Sequence, residues 1–305
     1  MPGVIELAAG QARLRLAPRL GGRITALRLV LPGTAEARDV LVPFPETARP
    51  ESLLHWPKGG LYPLLPYGNR VRDARLRFLG REYALPAHPD AAPHTLHGHA
   101  HRAAWRVTRS AGDAASWALD HPGGGEWPWR FRAELSARLT PSALTLGVSL
   151  RNHDAAPMPA GLGLHPYFVH DAGDAVCFRA ATDWPVLPDF LAGPPRPLPA
   201  DHGPPRALPP GAVTLYRGGW DGRCDVRRAG GGVLRLRADP AFDHLVLHRP
   251  AGAGYLCLEP TTHAPDGFNA AEAGVAGAGR RMLDPGATLA ASVVISLEPA
   301  ERSTP

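Results

Sequence analysis

At 305 residues the chain is long enough to bury a large core, either as one large all-β domain or as two ordinary ones. Hydrophobic residues make up 44% and charged residues 20%, a composition ordinary for a soluble globular protein and too charged for a membrane bundle. The net charge is +5 and the pI about 9.5. The positive charge is nearly all arginine scattered singly, with Lys58 the one lysine, so no phosphate-tracking surface for nucleic acid is expected.

The first residues, "MPGVIELAAGQARLRL", lack the basic start and apolar run of a secretory signal, and no stretch approaches eighteen uninterrupted apolar residues. A cytoplasmic location without a membrane partner is therefore expected. Cys177, Cys224 and Cys257 are odd in number and widely spaced, which argues against a disulfide framework or a zinc knuckle.

Period-two alternation begins with "ARLRLAP" at residue 12 and predicts a strand with one buried face. A short helical turn is expected near "PETARPESLLHW". The stretch "RLRFLGREYAL" from 75 predicts a hairpin turning at Leu79-Gly80. "HTLHGHAH", residues 94–101, places four histidines in eight positions; as a regular strand it would align His97, His99 and His101 on one face. Further strands follow in "FRAELSARL" from 131 and "LTLGVSLRN" from 144.

"GLGLHPYF", residues 161–168, is held extended by Pro166, which sets Gly161, Gly163 and His165 on one face. Two missing side chains beside an imidazole leave room for a ligand to approach, or mark a strand bend with a satisfied core histidine. Residues 183–210 carry ten prolines and predict a long surface loop rather than a linker, because the strand pattern is the same on both sides. "GVLRLRAD" from 232 alternates again. In "GYLCLEPTTHAPDGFN", residues 254–269, Leu256 and Leu258 oppose Cys257 and Glu259. A carboxylate on a strand of this kind is costly to bury unpaired and has a raised pKa, which makes Glu259 a candidate general base. "AAEAG" from 270 allows one more helical turn. The whole predicts a mostly antiparallel β-sandwich, 1–305, in one domain.

Taken together, "LGGRITALRL" (20–29), "LPYGNRVRDARLRFLGREYAL" (65–85), "HTLHGHAHRAAW" (94–105), "GLGLHPYF", "GGWDGRCDV" (218–226) and "CLEPTTHAPDGFN" (257–269) resemble, in type and order, the aldose 1-epimerase (galactose mutarotase) family. The resemblance implies an all-β galactose mutarotase-like supersandwich whose active site opens on one sheet. It implies Glu259 as general base, His165 as general acid and His97 as the second active-site histidine. It further implies Arg70, beside Asn69, as the sugar-contacting arginine, and Asp221 as the aspartate that binds sugar hydroxyls, with Asp225 four residues on as the alternative. Trp220, beside Asp221, is the tryptophan expected to stack on the sugar; Trp127, Trp129 and Trp184 are further candidates.

Exchanging the anomers of an aldose needs one group to take the C1 hydroxyl proton and one to give a proton to the ring oxygen, so no cofactor and no metal are expected. The partner expected is a small-molecule sugar, and nothing in the sequence sets an oligomeric state. Three other readings compete. A three-histidine metal site would use His97, His99 and His101. A carbohydrate-binding protein could keep the cleft without the chemistry. The abundant arginine would also suit a mutarotase of a phosphorylated or otherwise acidic sugar. In the favoured reading His97 is the active-site member of the cluster, His99 a helper, and His94 and His101 surface or loop positions.

Overall fold

The structure, a computed structural model, describes residues 3–48, 55, 58–199 and 206–300. Two large antiparallel sheets account for most of it. One has eleven strands, in the spatial order Ile5–Ala9, Ala12–Ala17, Arg23–Val30, Leu61–Pro63, Leu164–Val169, Tyr255–Thr261, His244–Arg249, Val213–Gly218, Thr182–Trp184 and Arg196–Pro197, with Ala37–Asp39 attached to Arg23–Val30. The other has nine: Arg106–Ala111, Ala114–Pro122, Arg130–Leu139, Ala143–Asn152, Thr288–Glu298, Val233–Ala238, Arg223–Arg227, Ala175–Phe178 and Arg206–Ala207.

The alternation in the sequence is what lets these sheets pack. In Arg130–Leu139 the odd positions Phe131, Ala133, Leu135, Ala137 and Leu139 are buried, while Arg132, Glu134, Ser136 and Arg138 face outward. Leu135, Leu146 and Val148 of the nine-stranded sheet share one core with Leu7, Leu14 and Leu27 of the eleven-stranded sheet. That core is the sandwich interior.

The middle of the eleven-stranded sheet is covered on both faces. Leu164–Val169 is buried through its first five residues, and Tyr255–Thr261 from Leu256 onward. Leu164, Phe168, Leu256 and Leu258 join the sandwich core. Alternation then forces Tyr167 and Cys257 to the opposite face, where they cluster with Tyr62 and Leu64. The functional side chains lie on this second face.

Several local expectations are met and others change. Arg75–Phe78 and Arg81–Ala84 form the expected hairpin. The α-helix Gly267–Glu272 has six residues and overlaps the expected turn at 270; most of the turn expected at 45–56 lies outside the described residues. The proline-rich stretch stays in the fold, since Thr182–Trp184 and Arg196–Pro197 pair with each other and a bridge joins Val186 to Ala192. Among the described residues, no helix is long and apolar enough to cross a membrane.

Residues 94–101 are not a strand. Thr95–Leu96 pairs with Arg70–Val71, and the chain then turns through His97 at φ 61° and Gly98 at φ 68°, where a single bridge joins Gly98 to Leu65, into a 3-10 turn at Ala100–Arg102. The turn is required at Gly98, where a Cβ would lie 2.2 Å from the carbonyl oxygen of Leu65. The common face expected for His97, His99 and His101 therefore does not exist.

Candidate active site

Register assembles the site. The bridge Gly163↔Thr261 and the pair Tyr167↔Cys257 belong to one antiparallel register, which sets His165 opposite Glu259. On one side His165 is paired with Tyr62; on the other, Glu259 is paired with Val246, Val246 with Tyr216, and Tyr216 with Trp184. One row thus crosses six strands on a single face, and a cavity of about 230 Å³ lies over it. Asn69, Arg70, His97, His165, Phe190, Thr214, Tyr216, Val246, His248 and Glu259 line that cavity.

His165 Nε2 stands 3.4 Å from Glu259 Oε1, and both side chains are buried. The imidazole packs against two tyrosines, Tyr62 and Tyr167, with ring centroids 4.7 Å from each and Tyr167 nearly parallel to it. Among the described residues, His165 Nδ1 and Glu259 Oε2 are buried without a hydrogen-bond partner. Burial pushes the Glu259 carboxyl up to about 8, with the Arg70 guanidinium acting in the opposite direction. Burial also holds His165 well below the usual histidine range, and the nearby His248 and Arg23 add to the effect. Both shifts favour the neutral forms, a protonated carboxyl beside an uncharged imidazole.

His97 and Asn69 secure each other. The His97 backbone N–H donates to the Asn69 carbonyl at 2.8 Å, and the Asn69 N–H donates to His97 Nδ1 at 3.1 Å. Burial holds His97 well below the usual range, with His165 and His101 as further causes. A neutral imidazole that accepts at Nδ1 carries its proton on Nε2, so His97 is a fixed hydrogen-bond donor. The two residues take left-handed backbone, at φ 56° and 61°, to make this exchange. Among the described residues the Arg70 guanidinium makes no hydrogen bond or ion pair; its carbon lies 5.0 Å from the centroid of the Phe190 ring.

Of the residues expected from the sequence, Glu259, His165, His97, Arg70 and Asn69 converge on the cavity. Asp221 and Trp220 do not. Asp221 is exposed in the turn between the two large sheets, where Oδ1 accepts the Arg223 N–H at 3.0 Å. Trp220 is a core residue whose Nε1 donates to the Arg223 carbonyl. Asp225 is on the nine-stranded sheet, 2.6 Å from Arg237. Trp127 and Trp129 pack in the core at 5.3 Å from each other, and Trp184 ends the row in a small cluster with Tyr216 and Val246 but is not among the residues that line the cavity.

The space beside His165 that the glycines were expected to leave for a ligand is filled by protein. A Cβ on Gly161 would meet the His263 ring at 2.5 Å, and one on Gly163 would meet Leu64 at 3.0 Å. His94 and His101, expected at the surface or in loops, do lie outside the strands but are buried. His94 Nδ1 accepts the Asp73 N–H at 2.9 Å, and His101 packs on Tyr62 at 5.5 Å. His99 faces His121 instead, at 5.0 Å. The metal-ligand grouping among the described residues is a different one, His165, Cys257 and Glu259, whose ligand atoms all lie within 4.8 Å of one another.

Tyr216, Thr214, His248, Val246 and Phe190 were not foreseen. Thr214 and His248 are joined by a 2.9 Å hydrogen bond on neighbouring strands. Their alternation was visible in "VTLYRG" and "HLVLHR"; their common face required the register.

The family model described as aldose 1-epimerase matches residues 3–193. The Escherichia coli (strain K12) protein YphB, itself uncharacterised, is 28% identical over 229 residues, covering 70% of this chain and 76% of YphB. Two crystal structures share the fold. An Escherichia coli K12 protein provisionally assigned as an aldose 1-epimerase superposes with a TM-score of 0.84 at 24% identity, covering 98% of this chain and 99% of that one. A galactose mutarotase-like protein from Clostridium acetobutylicum gives 0.79 at 18% identity, covering 97% and 95%. With a family match over well more than half its length and a mutarotase-like sandwich beneath the cavity, this chain belongs to the aldose 1-epimerase family.

Proposed function

We propose that the protein is a cofactor-independent aldose 1-epimerase that interconverts the α and β anomers of an aldose by opening and closing the sugar ring. The observation that carries this reading is the buried Glu259–His165 pair, 3.4 Å apart on the wall of a sugar-sized cavity. A single proton shared by a carboxyl and an imidazole is what the reaction consumes and regenerates.

Transfer of that proton from Glu259 to His165 readies the pair. Glu259 then takes the proton of the C1 hydroxyl while His165 protonates the ring oxygen O5; the C1–O5 bond breaks and C1 becomes the aldehyde carbon. The pair is now back in its neutral form. Rotation about C1–C2 presents the other carbonyl face, and the same transfers in reverse close the ring as the opposite anomer. His97, a neutral donor at Nε2, and Arg70, with its uncommitted guanidinium, orient the sugar and stabilise charge developing at O5.

Anomer exchange is measured by polarimetry or magnetisation-transfer NMR with glucose, galactose, xylose and arabinose. Catalysed exchange of at least one is expected. A folded protein that binds these sugars without exchanging them would instead be a carbohydrate-binding member of the fold.

A further inference from the structure

One aromatic ring at the cavity is used neither by the core nor by the proton transfers. Phe190 lines the cavity, yet it is 43% exposed, the behaviour of neither a core residue nor an ordinary loop residue. It sits at the tip of an arch, residues 185–193, in left-handed backbone at φ 60°. A bulky non-glycine residue holds that conformation only when its surroundings impose it, and such strain gathers at functional sites.

Here the surroundings do impose it. The arch is closed by the Gly193 N–H donating to the Pro185 carbonyl at 2.7 Å and the Leu187 N–H donating to the Leu191 carbonyl at 2.9 Å. The Phe190 N–H donates to the Leu187 carbonyl at 2.8 Å, and the Phe190 carbonyl accepts the Tyr216 hydroxyl at 2.9 Å. Leu191 next to it is fully buried. The proline-rich stretch is thus a rigid support that keys an exposed aromatic ring to the cavity floor.

Apart from Val246, every other lining residue presents a polar group. An aldopyranose is amphipathic: its hydroxyls radiate from the rim of the ring, and its C–H bonds form an apolar face. Polar groups answer the rim; the apolar face needs an apolar wall. We propose that Phe190 is that wall, a sugar-stacking residue that packs against the C–H face of an aldopyranose while C1 and O5 lie at Glu259 and His165. The proposal rests on the epimerase reading for the orientation of the sugar. The same ring supports the Arg70 guanidinium, which aims a hydroxyl-binding group at the sugar's edge.

The test is calorimetric titration with galactose, glucose and xylose, alongside exchange kinetics, on the wild type, Phe190→Ala, Phe190→Leu and Phe190→Trp. Removing a stacking ring is expected to weaken binding and raise KM about tenfold in Phe190→Ala, with the loss falling on KM rather than kcat. Phe190→Trp retains wild-type affinity, Phe190→Leu falls between, and all melt as the wild type does. Wild-type affinity in Phe190→Ala overturns the proposal and leaves the epimerase reading standing if exchange persists. Weakened binding in Phe190→Ala together with no exchange by the wild type upholds the wall and overturns the epimerase reading. No binding by the wild type to any of the three overturns the proposal, and no exchange of these or of arabinose overturns the epimerase reading with it.

Discussion

His165 and Glu259 face each other at 3.4 Å with both side chains buried, and among the described residues neither has a hydrogen-bond partner for its other polar atom. Leaving two such atoms unsatisfied costs stability, by about 1–3 kcal/mol each on typical mutational evidence. In the proposed epimerase reading the same two residues are the ones that exchange protons with the sugar.

Glu259→Gln keeps the shape and removes the base. Anomer exchange should fall by at least about a hundredfold while sugar affinity stays within a few-fold. His165→Asn should likewise lower kcat more than it raises KM. Retention of most turnover in Glu259→Gln, or a pure KM effect in His165→Asn, would reassign these residues as sugar contacts.

The pair also predicts a pH dependence of stability. The folded-state value of Glu259, about 8, lies above its ordinary 4.5. Between the two the folded protein keeps a proton that the unfolded chain has released, so the contribution is fully present below the unfolded value and is lost as pH rises through about 8. Glu259→Gln cannot ionise and should lack this slope. Denaturant midpoints compared at about pH 5 and about pH 9 should show the variant gaining on the wild type by a few kcal/mol, at about 1.4 kcal/mol per pH unit. Parallel pH dependences would mean that Glu259 is ionised in the folded state.

His97→Leu should cost stability as well as activity. It deletes the acceptor of the buried Asn69 N–H, at about 1–3 kcal/mol, and the Nε2 donor proposed to orient the sugar. Urea unfolding and exchange kinetics on the same variant measure the two losses; a fully stable variant would show that this hydrogen bond is replaced by another.

Gly161→Ala tests the packing behind His165. The new methyl would press on the buried His263 ring, which accepts the Gly68 N–H at 3.0 Å, and on Phe268 at 3.3 Å. Destabilisation of about 1–3 kcal/mol is expected. Gly254→Ala, with open space around its Cα and no positive φ, is the matched control and should be nearly neutral. Equal behaviour of the two would show that His263 can move aside.

Local chemistry along the chain determined the class of fold and much of the site. The alternation in "FRAELSARL" and "LTLGVSLRN" has a period of two because successive side chains in a strand point to opposite faces, and burial follows it residue by residue. The same rule placed Glu259 on the face away from Leu256 and Leu258, and the ordered motifs brought His97, His165 and Arg70 into the same expectation.

Only the tertiary structure decided which faces meet. That Tyr216 shares a wall with His248 and Glu259 depends on the register between Val213–Gly218 and His244–Arg249, strands far apart in sequence, which no local pattern encodes. The gap beside Gly161 and Gly163 was legible as a gap, but its occupants, His263 and Leu64, come from distant segments. Asp221 and Trp220 looked like a sugar site because they adjoin a recognisable motif, yet the turn that carries them leads from one sheet to the other and away from the cavity. Phe190 lay in a run of prolines with no periodicity at all, and its place at the cavity is set by the tertiary contacts that hold the arch, among them the hydroxyl of Tyr216.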